Sequence, residues 1–366
     1  MSGMELPEQV RIPVMRPRLP RHASLTKYLQ VIDESRTYTN FGPLHRRLEE
    51  RLAEYLGVGV DQVLLCANGT LALQGAVVTA SNESAWIMPS WTFVASAEAV
   101  SAAAREIYFA DVEDDSWTIR LESRTANQPH LVVAPFGDLP RLAHYRKIVV
   151  DSPLIVDAAS CFDACRDLSS THLDNSMVMV SLHATKLVTT GEGGLLVGDS
   201  GWINDVKRWS NFGFRGRRIA DVRGTNAKLS EYAAAVGLAS LDEWGSTRNE
   251  LAVLMDYYQR KLIECGLTLQ PAFGAGHLTS AVVVRFADKD QRNRGRSALH
   301  AAGVETRAWW SDGVHQMATF ADCRQREPLD VTDHLAQTTL GLPFFVDMST
   351  AQIDEVVRVL AGVVAL

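Results

Sequence analysis

The sequence predicts an α/β protein with a mostly parallel central sheet covered by helices on both faces, followed by a smaller α+β domain. Between residues 63 and 199, short apolar runs of strand length alternate with helix-like runs, a pattern typical of such sheets. After Glu243 the pattern changes to a long helical stretch, 247–266, that precedes a strand-like run, 279–288. We therefore expect an N-terminal arm (1–25), a large domain (26–243) and a small C-terminal domain (244–366).

The individual elements follow from periodicity and from residues that begin or end helices. The segment up to about Pro20 is rich in Pro and Arg and predicts an extended arm. The stretch 44-LHRRLEERLAEYLGV-58 places apolar residues at helical spacing, and Gly57 can end that helix. The remaining expected elements are strands at 63–67, 85–90, 105–112, 130–136, 147–159, 177–184 and 193–199, and helices at 70–80, 94–104, 291–302 and 350–365.

Composition excludes several classes of protein. A chain of 366 residues with 46% hydrophobic residues can bury a large core. The net charge of −7 provides no general basic field for a nucleic acid. The five cysteines lack paired metal-type spacing, so we expect reduced thiols and no metal site. No apolar run is long enough to span a bilayer and the first 25 residues lack a signal-peptide core, so we expect a cytoplasmic protein without membrane partners.

Ligands of open α/β sheets sit beyond the carboxyl ends of the strands, and the first candidate loop there is 66-CANGTLALQ-74. An apolar strand ends at Asn68-Gly69-Thr70 and a helix begins. Free backbone N–H groups at the positive end of a helix dipole suit a phosphate. Alternatively, Asn68 or Thr70 only caps the helix. The loop alone does not decide between the two.

The second candidate is Asp157, in 154-LIVDAAS-160, at the end of another apolar strand. A carboxylate there is costly without a partner, and a cation would keep it ionised. The alternative is a cap for the next helix.

The third candidate is Lys186, in 181-SLHATKLVTTGEGGLLVGD-199. A phosphate-binding P-loop is excluded because the glycines follow the lysine rather than precede it. A lysine near an apolar strand end can have a lowered pKa and form a Schiff base, and Ser181 can add a hydroxyl to a phosphate site. The alternative is a solvated surface charge. Together the three loops suit pyridoxal phosphate, which has a phosphate, a cationic ring nitrogen and an aldehyde.

The lysine segment SLHATKLVTTGEGG resembles the lysine motif of the nucleotide-sugar aminotransferases, which have the fold of aspartate aminotransferase (fold type I). The resemblance covers most of the chain in order. It includes TNFGPLHRRLEERLAEYLGV (39–58), NGTLAL (68–73), MPSWTFVASAEAV (88–100), FADVEDDSWTI (109–119), VDAAS (156–160), NFGF (211–214), GTNAKLSEYAAAVGLASLD (224–242), VETRAWWSDGVHQM (304–317) and LPFF (342–345).

The resemblance implies a role for each matching residue. Lys186 resembles the lysine that forms the Schiff base with pyridoxal phosphate, and Asp157 resembles the partner of its ring nitrogen. Asn226 resembles an asparagine that reaches the cofactor phosphate of the neighbouring subunit, which implies a homodimer with shared active sites. The other implied cofactor-binding residues are Gly69, Thr70 and Ser181 at the phosphate, Phe93 stacked on the ring, and Ser160, where many relatives have His or Gln.

The implied reaction transfers the amino group of L-glutamate through the pyridoxamine form of the cofactor to a nucleotide-diphosphate keto-sugar. The segment 304–317 resembles enzymes that aminate C4 of a dTDP-4-keto-6-deoxyhexose, the glucose form being the expected substrate. Its candidate substrate-binding residues are Arg307, Trp309, Trp310 and His315, for which domain packing is the alternative. The basic cluster 215-RGRRIADVR-223 can hold a pyrophosphate or be a solvated loop.

Some features depart from the family pattern and leave the sugar open. The stretch 130–142 lacks the usual His-x-Tyr-Gly version, and Trp-Trp stands where Tyr-Phe is more frequent. The alternatives within the family are a C3 keto-sugar or cyclitol aminotransferase, and a pyridoxal-dependent sugar dehydratase, which has His in place of Lys186. The alternatives outside it are a catalytically silent regulatory protein and a P-loop nucleotide hydrolase.

Overall fold

The computed structural model of the chain describes residues 10–81, 84–121, 127–166, 168 and 173–365. The helices in these ranges are α1 (His22–Ser35), α2 (Pro43–Leu56), α3 (Gly69–Thr79), α4 (Val94–Ala102), α5 (Leu142–Arg146), α6 (Ser200–Trp209), α7 (Glu231–Glu264), α8 (Lys289–Ala301), α9 (Asp330–Thr338) and α10 (Thr350–Val364). The strands are β1 (Val63–Cys66), β2 (Trp86–Pro89), β3 (Ile107–Ala110), β4 (His130–Val133), β5 (Leu154–Asp157), β6 (Ser176–Ser181), β7 (Gly194–Gly198), β8 (Thr268–Leu269), β9 (Val282–Arg285), β10 (Arg324–Gln325) and β11 (Thr339–Leu342).

The strands form two sheets. The larger has the order β1-β7-β6-β5-β4-β2-β3-β10. Only β7 runs antiparallel to its neighbours in this sheet, and every other described pair is parallel. The smaller sheet, β11-β9-β8, is antiparallel. The predicted mostly parallel α/β architecture is thereby confirmed.

Helices cover both faces of the larger sheet because its strands are apolar on both sides. Successive side chains of a strand point to opposite faces, and adjacent strand residues accordingly join different hydrophobic cores. Leu65, Val132 and Val156 pack in the core that holds the apolar faces of α2 and α7. Their neighbours Leu64, Leu131 and Ile155 pack in the core that holds α3, α4 and α6.

The structure differs from the sequence-based expectation between 147 and 159, where the strand begins only at Leu154. The cause is Arg146, at the end of α5. Its guanidinium donates hydrogen bonds to the carbonyls of Val149 and Ser152 at 2.8 and 2.9 Å. These carbonyls therefore have partners without a neighbouring strand, and the apolar segment forms a compact turn instead.

Helix α7 is longer than its predicted core, 247–266. It begins at Glu231 because the Ser230 hydroxyl caps it by accepting from the Ala233 N–H. The helix consequently passes through the domain boundary expected at residue 243, and the division of the chain there stays a prediction. The expected helix at 44–58 is confirmed as α2, and it ends at Gly57 with a φ of 69°, as the sequence indicated.

Glu231 joins α7 to the beginning of α2. Its buried carboxylate accepts hydrogen bonds from the backbone N–H groups of Leu44 and His45 at 2.8 and 3.0 Å. A Cβ on Gly42 would lie 2.6 Å from the Glu231 Cδ, so only glycine allows this approach. Glu231 thus satisfies N–H groups that a capping side chain on α2 itself would otherwise bind.

Candidate active site

A cleft of about 390 Å³ opens at the carboxyl ends of β1, β5 and β6. These three strands run in the same direction, so the loops that follow them meet at one edge of the sheet. Ten of the predicted site residues line the cleft: Gly69, Thr70, Phe93, Asp157, Ser160, Ser181, Lys186, Arg307, Trp309 and Trp310.

The loop after β1 combines both functions considered for it. The Asn68 side chain accepts from the Leu71 N–H at 2.8 Å and is the N-cap of α3. Gly69 and Thr70 are the first two residues of that helix, where N–H groups have no acceptor within the helix. Since both line the cleft, their N–H groups and the helix dipole make this loop suitable for a phosphate.

The glycines after Lys186 allow the lysine loop to pack against the loop after β1. A Cβ on Gly194 would lie 2.5 Å from the Asn68 carbonyl oxygen and 2.8 Å from the Gly69 Cα. Gly191 adopts a φ of 83°, a conformation that favours glycine. The glycines therefore serve loop geometry.

The threonines around Lys186 have the same structural purpose. Thr189 Oγ1 donates to the Leu182 carbonyl at 3.1 Å and accepts from the Gly191 N–H at 2.8 Å. Thr190 Oγ1 donates to the Glu192 carbonyl at 2.8 Å. These bonds fix a tight loop, so Lys186 is presented to the cleft from a well-defined backbone.

Lys186 and Asp157 perturb each other electrostatically across the cleft. The Lys186 Nζ donates a hydrogen bond to Ser160 Oγ at 2.9 Å. Burial lowers the pKa of the Lys186 amine, and the Asp157 carboxylate opposes this shift. The lysine, which is partly exposed as a whole residue, therefore differs from a solvated surface charge.

Asp157 is held from two sides at the end of β5. Its carboxylate accepts from the Ser96 hydroxyl at 2.5 Å and from the Ala159 N–H at 3.1 Å. Burial raises its pKa, whereas these two bonds and the charge of Lys186 lower it. The Ala159 bond is local and matches the cap-like alternative, but the carboxylate also lines the cleft and can accept a cationic ligand there.

Aromatic residues form one wall of the cleft. Phe93 lines it with 57% of its surface exposed. Trp310 is buried and stacks on Phe136 with ring centroids 4.1 Å apart, while the Arg307 guanidinium lies 5.0 Å from the centre of the Trp309 ring. The wall thus offers an accessible aromatic face for a flat ligand.

Sequence reasoning missed Ser96 and Phe136. Ser96 was contained in a helix-like stretch, and its spacing of four residues from Thr92 is the only signal; the two hydroxyls lie 2.9 Å apart. Phe136 ended a run expected to be a strand, yet its φ is 49° and its ring turns into the cleft wall. Neither side-chain direction follows from local sequence.

Two predicted residues lie outside the cleft lining. His315 is buried, and its ring nitrogen Nδ1 lies 2.6 Å from the Ser90 hydroxyl, which also accepts from the His315 N–H. This geometry matches the packing alternative. Asn226 is exposed on the surface, as are the residues of the basic cluster 215–223.

Within the described ranges, no cluster of three or more His, Cys, Asp or Glu side chains is arranged to bind a metal ion. None of the helices in those ranges combines the length and apolarity needed to cross a membrane.

The sheet order, the lysine loop and the buried aspartate together define a pyridoxal-phosphate-dependent aminotransferase of fold type I. The chain belongs to the DegT/DnrJ/EryC1/StrS aminotransferase family, which it matches over residues 21–361. It is accordingly a sugar aminotransferase, and both the expected enzyme class and the cofactor are confirmed.

Known proteins resemble the chain over most of its length. A dTDP-4-amino-4,6-dideoxy-D-glucose transaminase of Shigella dysenteriae is 30% identical, covering 68% of this chain and 69% of that protein. A UDP-N-acetyl-3-dehydro-alpha-D-glucosamine 3-aminotransferase of Acidithiobacillus ferrooxidans is 25% identical over 84% and 86%. The crystal structure of DesI in the presence of its TDP-sugar product has a TM-score of 0.85 and 28% identity, covering 98% of this chain and 94% of that one.

The cleft residues fit pyridoxal phosphate. Phe93 provides an exposed aromatic face, and the beginning of α3 provides N–H groups for an anion. Asp157 is a buried carboxylate suited to a cation, and burial favours the neutral, nucleophilic amine of Lys186.

We expect the amine of Lys186 to titrate below the ordinary lysine value of 10.5, because burial disfavours its charged form. The rate of modification by an amine-directed reagent, followed at Lys186 by peptide mass spectrometry across pH, measures this value in the cofactor-free protein. Lys27 is the control, because its bond to Asp242 raises the pKa of its amine.

Substitution Asp157→Asn should lower the midpoint of Lys186 further, since the carboxylate stabilises the charged amine. A Lys186 midpoint at or above that of Lys27 would contradict the electrostatic description of the cleft.

Proposed function

We propose that this protein transfers the amino group of L-glutamate to C4 of dTDP-4-keto-6-deoxyglucose, in the cytoplasm, as a step in amino-deoxysugar biosynthesis. The observation that carries the proposal is the convergence of Lys186, Asp157 and the first turn of α3 in one cleft. These groups match the aldehyde, ring nitrogen and phosphate of pyridoxal phosphate, in a chain of the sugar aminotransferase family.

Asp157 and Lys186 have complementary roles in this proposal. When bound, pyridoxal phosphate supplies an electron sink for the substrate carbon that loses its proton. Asp157 keeps the ring nitrogen protonated, since an ionised carboxylate favours a cation beside it. Lys186, once displaced by the substrate amine, carries the proton between substrate carbon and cofactor carbon, and Ser160 orients its Nζ.

The remaining cofactor contacts follow from the geometry of the cleft. Gly69, Thr70 and Ser181 line its phosphate side, where the α3 dipole favours an anion. Phe93 stacks on the ring. Arg307 and Trp309 stand in the cleft wall, where a guanidinium and an indole can bind the diphosphate and the sugar face. The buried His315 supports this wall through Ser90.

C4 is favoured over other positions by the Shigella dysenteriae relative and by DesI, whose names or titles refer to a dTDP-4-amino sugar and a TDP-sugar product. C3 amination is the second candidate, because another relative is named a 3-aminotransferase. A sugar dehydratase is disfavoured by Lys186, which stands where that branch has histidine.

Product analysis tests the proposal. The purified enzyme, loaded with cofactor and supplied with L-glutamate, should convert dTDP-4-keto-6-deoxyglucose to an amino sugar whose new C–N bond lies at C4 by NMR. Lys186→Ala should lose about 10²- to 10⁴-fold in rate because no other base in the proposal moves the proton. Exclusive conversion of a 3-keto-sugar would contradict C4 amination, and full activity of Lys186→Ala would contradict the mechanism.

We also propose that the active protein is a homodimer with shared sites. Asn226 is exposed in this chain, beside large apolar side chains that include Phe212 at 46% and Tyr232 at 50% exposure. Lys228 has a buried Nζ with no hydrogen-bond partner among the described residues. An exposed aromatic surface and a buried unpaired amine support a partner subunit at this face.

Mixing two inactive variants tests the shared site. Asn226→Asp places a carboxylate against the partner's cofactor phosphate, and Lys186→Ala removes the amine from its own site. If Asn226 serves the neighbour, each mixed dimer contains one site with neither defect, and unfolding and refolding the mixture should restore up to about a quarter of wild-type activity under random pairing. No recovery from mixed dimers isolated with two affinity tags would contradict sharing.

A further inference from the structure

The cleft continues into a small crevice beside Lys186. This crevice has a volume of about 60 Å³ and shares Met15, Thr185, Lys186 and Ser280 with the cleft. It lies between the lysine loop and the N-terminal segment 15–20, with residues of α7 also contributing. Pockets that hold whole small molecules measure about 300–1,000 Å³, so the crevice suits one functional group of a ligand.

The N-terminal segment is anchored on both sides of this crevice. The Ile12 N–H donates to the Gly303 carbonyl at 3.2 Å, and the Phe344 N–H donates to the Val14 carbonyl at 3.1 Å. Beyond the crevice, Arg18 is held by Asp347 at 3.0 Å. A side chain between these anchors is therefore presented from a fixed backbone.

Arg16 is that side chain. It lines the crevice and is exposed. Within the described parts of the chain its guanidinium has no hydrogen-bond or ion-pair partner, whereas Arg18, two residues further on, is paired with both Glu250 and Asp347. The crevice thus contains an arginine fork with its donors free, next to the lysine amine.

We infer that Arg16 binds a carboxylate of the amino donor. The inference rests on the proposed function, in which one cleft receives two very different substrates in turn. The nucleotide sugar is large and needs the wide part of the cleft. L-Glutamate is small, and its amine must reach the Lys186 position, so its carboxylates lie within a few bonds of that point. An arginine binds a carboxylate through two parallel charge-assisted hydrogen bonds.

The other charged groups of the cleft leave this role to Arg16. The Arg307 guanidinium is already 3.4 Å from the Glu305 carboxylate and lies over the Trp309 ring. Asp157 and Glu192 are acidic and repel a carboxylate. Arg16 therefore determines selectivity for an acidic amino donor without contacting the sugar.

The substitution Arg16→Gln tests the inference in the cofactor-loaded enzyme. The conversion of the cofactor by L-glutamate, followed by its absorbance in the absence of any sugar, yields an apparent Kd for the donor. We expect this Kd to rise about tenfold or more, because two charge-assisted hydrogen bonds are lost. Titration of the amine form with 2-oxoglutarate should show the same rise. The KM for the keto-sugar should stay within about twofold of the wild-type value.

Two further variants separate charge from backbone position. Arg16→Lys should recover part of the affinity, since it keeps the charge but not the fork. Arg11→Gln is the matched control: Arg11 lies on the same segment and pairs with Glu355, away from the crevice. It should leave the Kd for L-glutamate unchanged. With L-alanine, an equal loss in Arg16→Gln assigns Arg16 to the carboxylate next to the amine, and a loss limited to L-glutamate assigns it to the side-chain carboxylate.

Three results would overturn the inference alone: an unchanged Kd for L-glutamate in Arg16→Gln, an equal loss in Arg11→Gln, or a loss confined to the keto-sugar KM. A wild-type enzyme that L-glutamate does not convert would instead contradict the proposed function, and the inference with it.

Discussion

A buried carboxylate at the edge of the sheet, that of Asp157, imposes the constraint on which the active site depends. Removing an ionised carboxylate from water costs several kcal/mol even after relaxation. The Ser96 hydroxyl and the Ala159 N–H offset part of this cost. The Lys186 charge contributes as well, but burial disfavours the charged form of that lysine too. A cationic ring nitrogen in the cleft completes the set of partners that keeps the carboxylate ionised.

The sheet topology brings these groups together. β5 and β6 are parallel, with Asp157 in register with Met179, so Ser181 extends two residues beyond the aspartate. The antiparallel β7 returns between β6 and β1, and its Gly194 pairs with Cys66. This reversal lets one segment carry the lysine and also pack on the loop that begins α3. The small residues in both loops are required because their backbones approach within van der Waals contact.

The sequence predicted the parts of the site that depend on local pattern. Apolar strands that end in a polar residue located Asn68, Asp157 and Ser181, and loops after parallel strands meet at one edge regardless of distant packing. The sequence did not predict the turn of Phe136 into the cleft, because a left-handed φ in a non-glycine residue is set by surrounding structure. It also did not predict Arg16, since a proline- and arginine-rich segment gives no periodic signal for where it packs.

The helices show the same division between local and long-range causes. The expected α2 and its end at Gly57 depend on neighbouring residues and are confirmed. The early start of α7 depends on a serine cap and on contacts of Glu231 with a helix nearly 190 residues away in sequence. Such a contact cannot be read from a window of neighbouring residues.

The visible absorption spectrum of the purified protein, before and after L-glutamate is added, tests the central claim most directly. The account predicts a yellow protein whose band is replaced by a near-ultraviolet band with L-glutamate, because Lys186 and Asp157 hold the two ends of the cofactor ring system. A protein that stays colourless with added pyridoxal phosphate would contradict it.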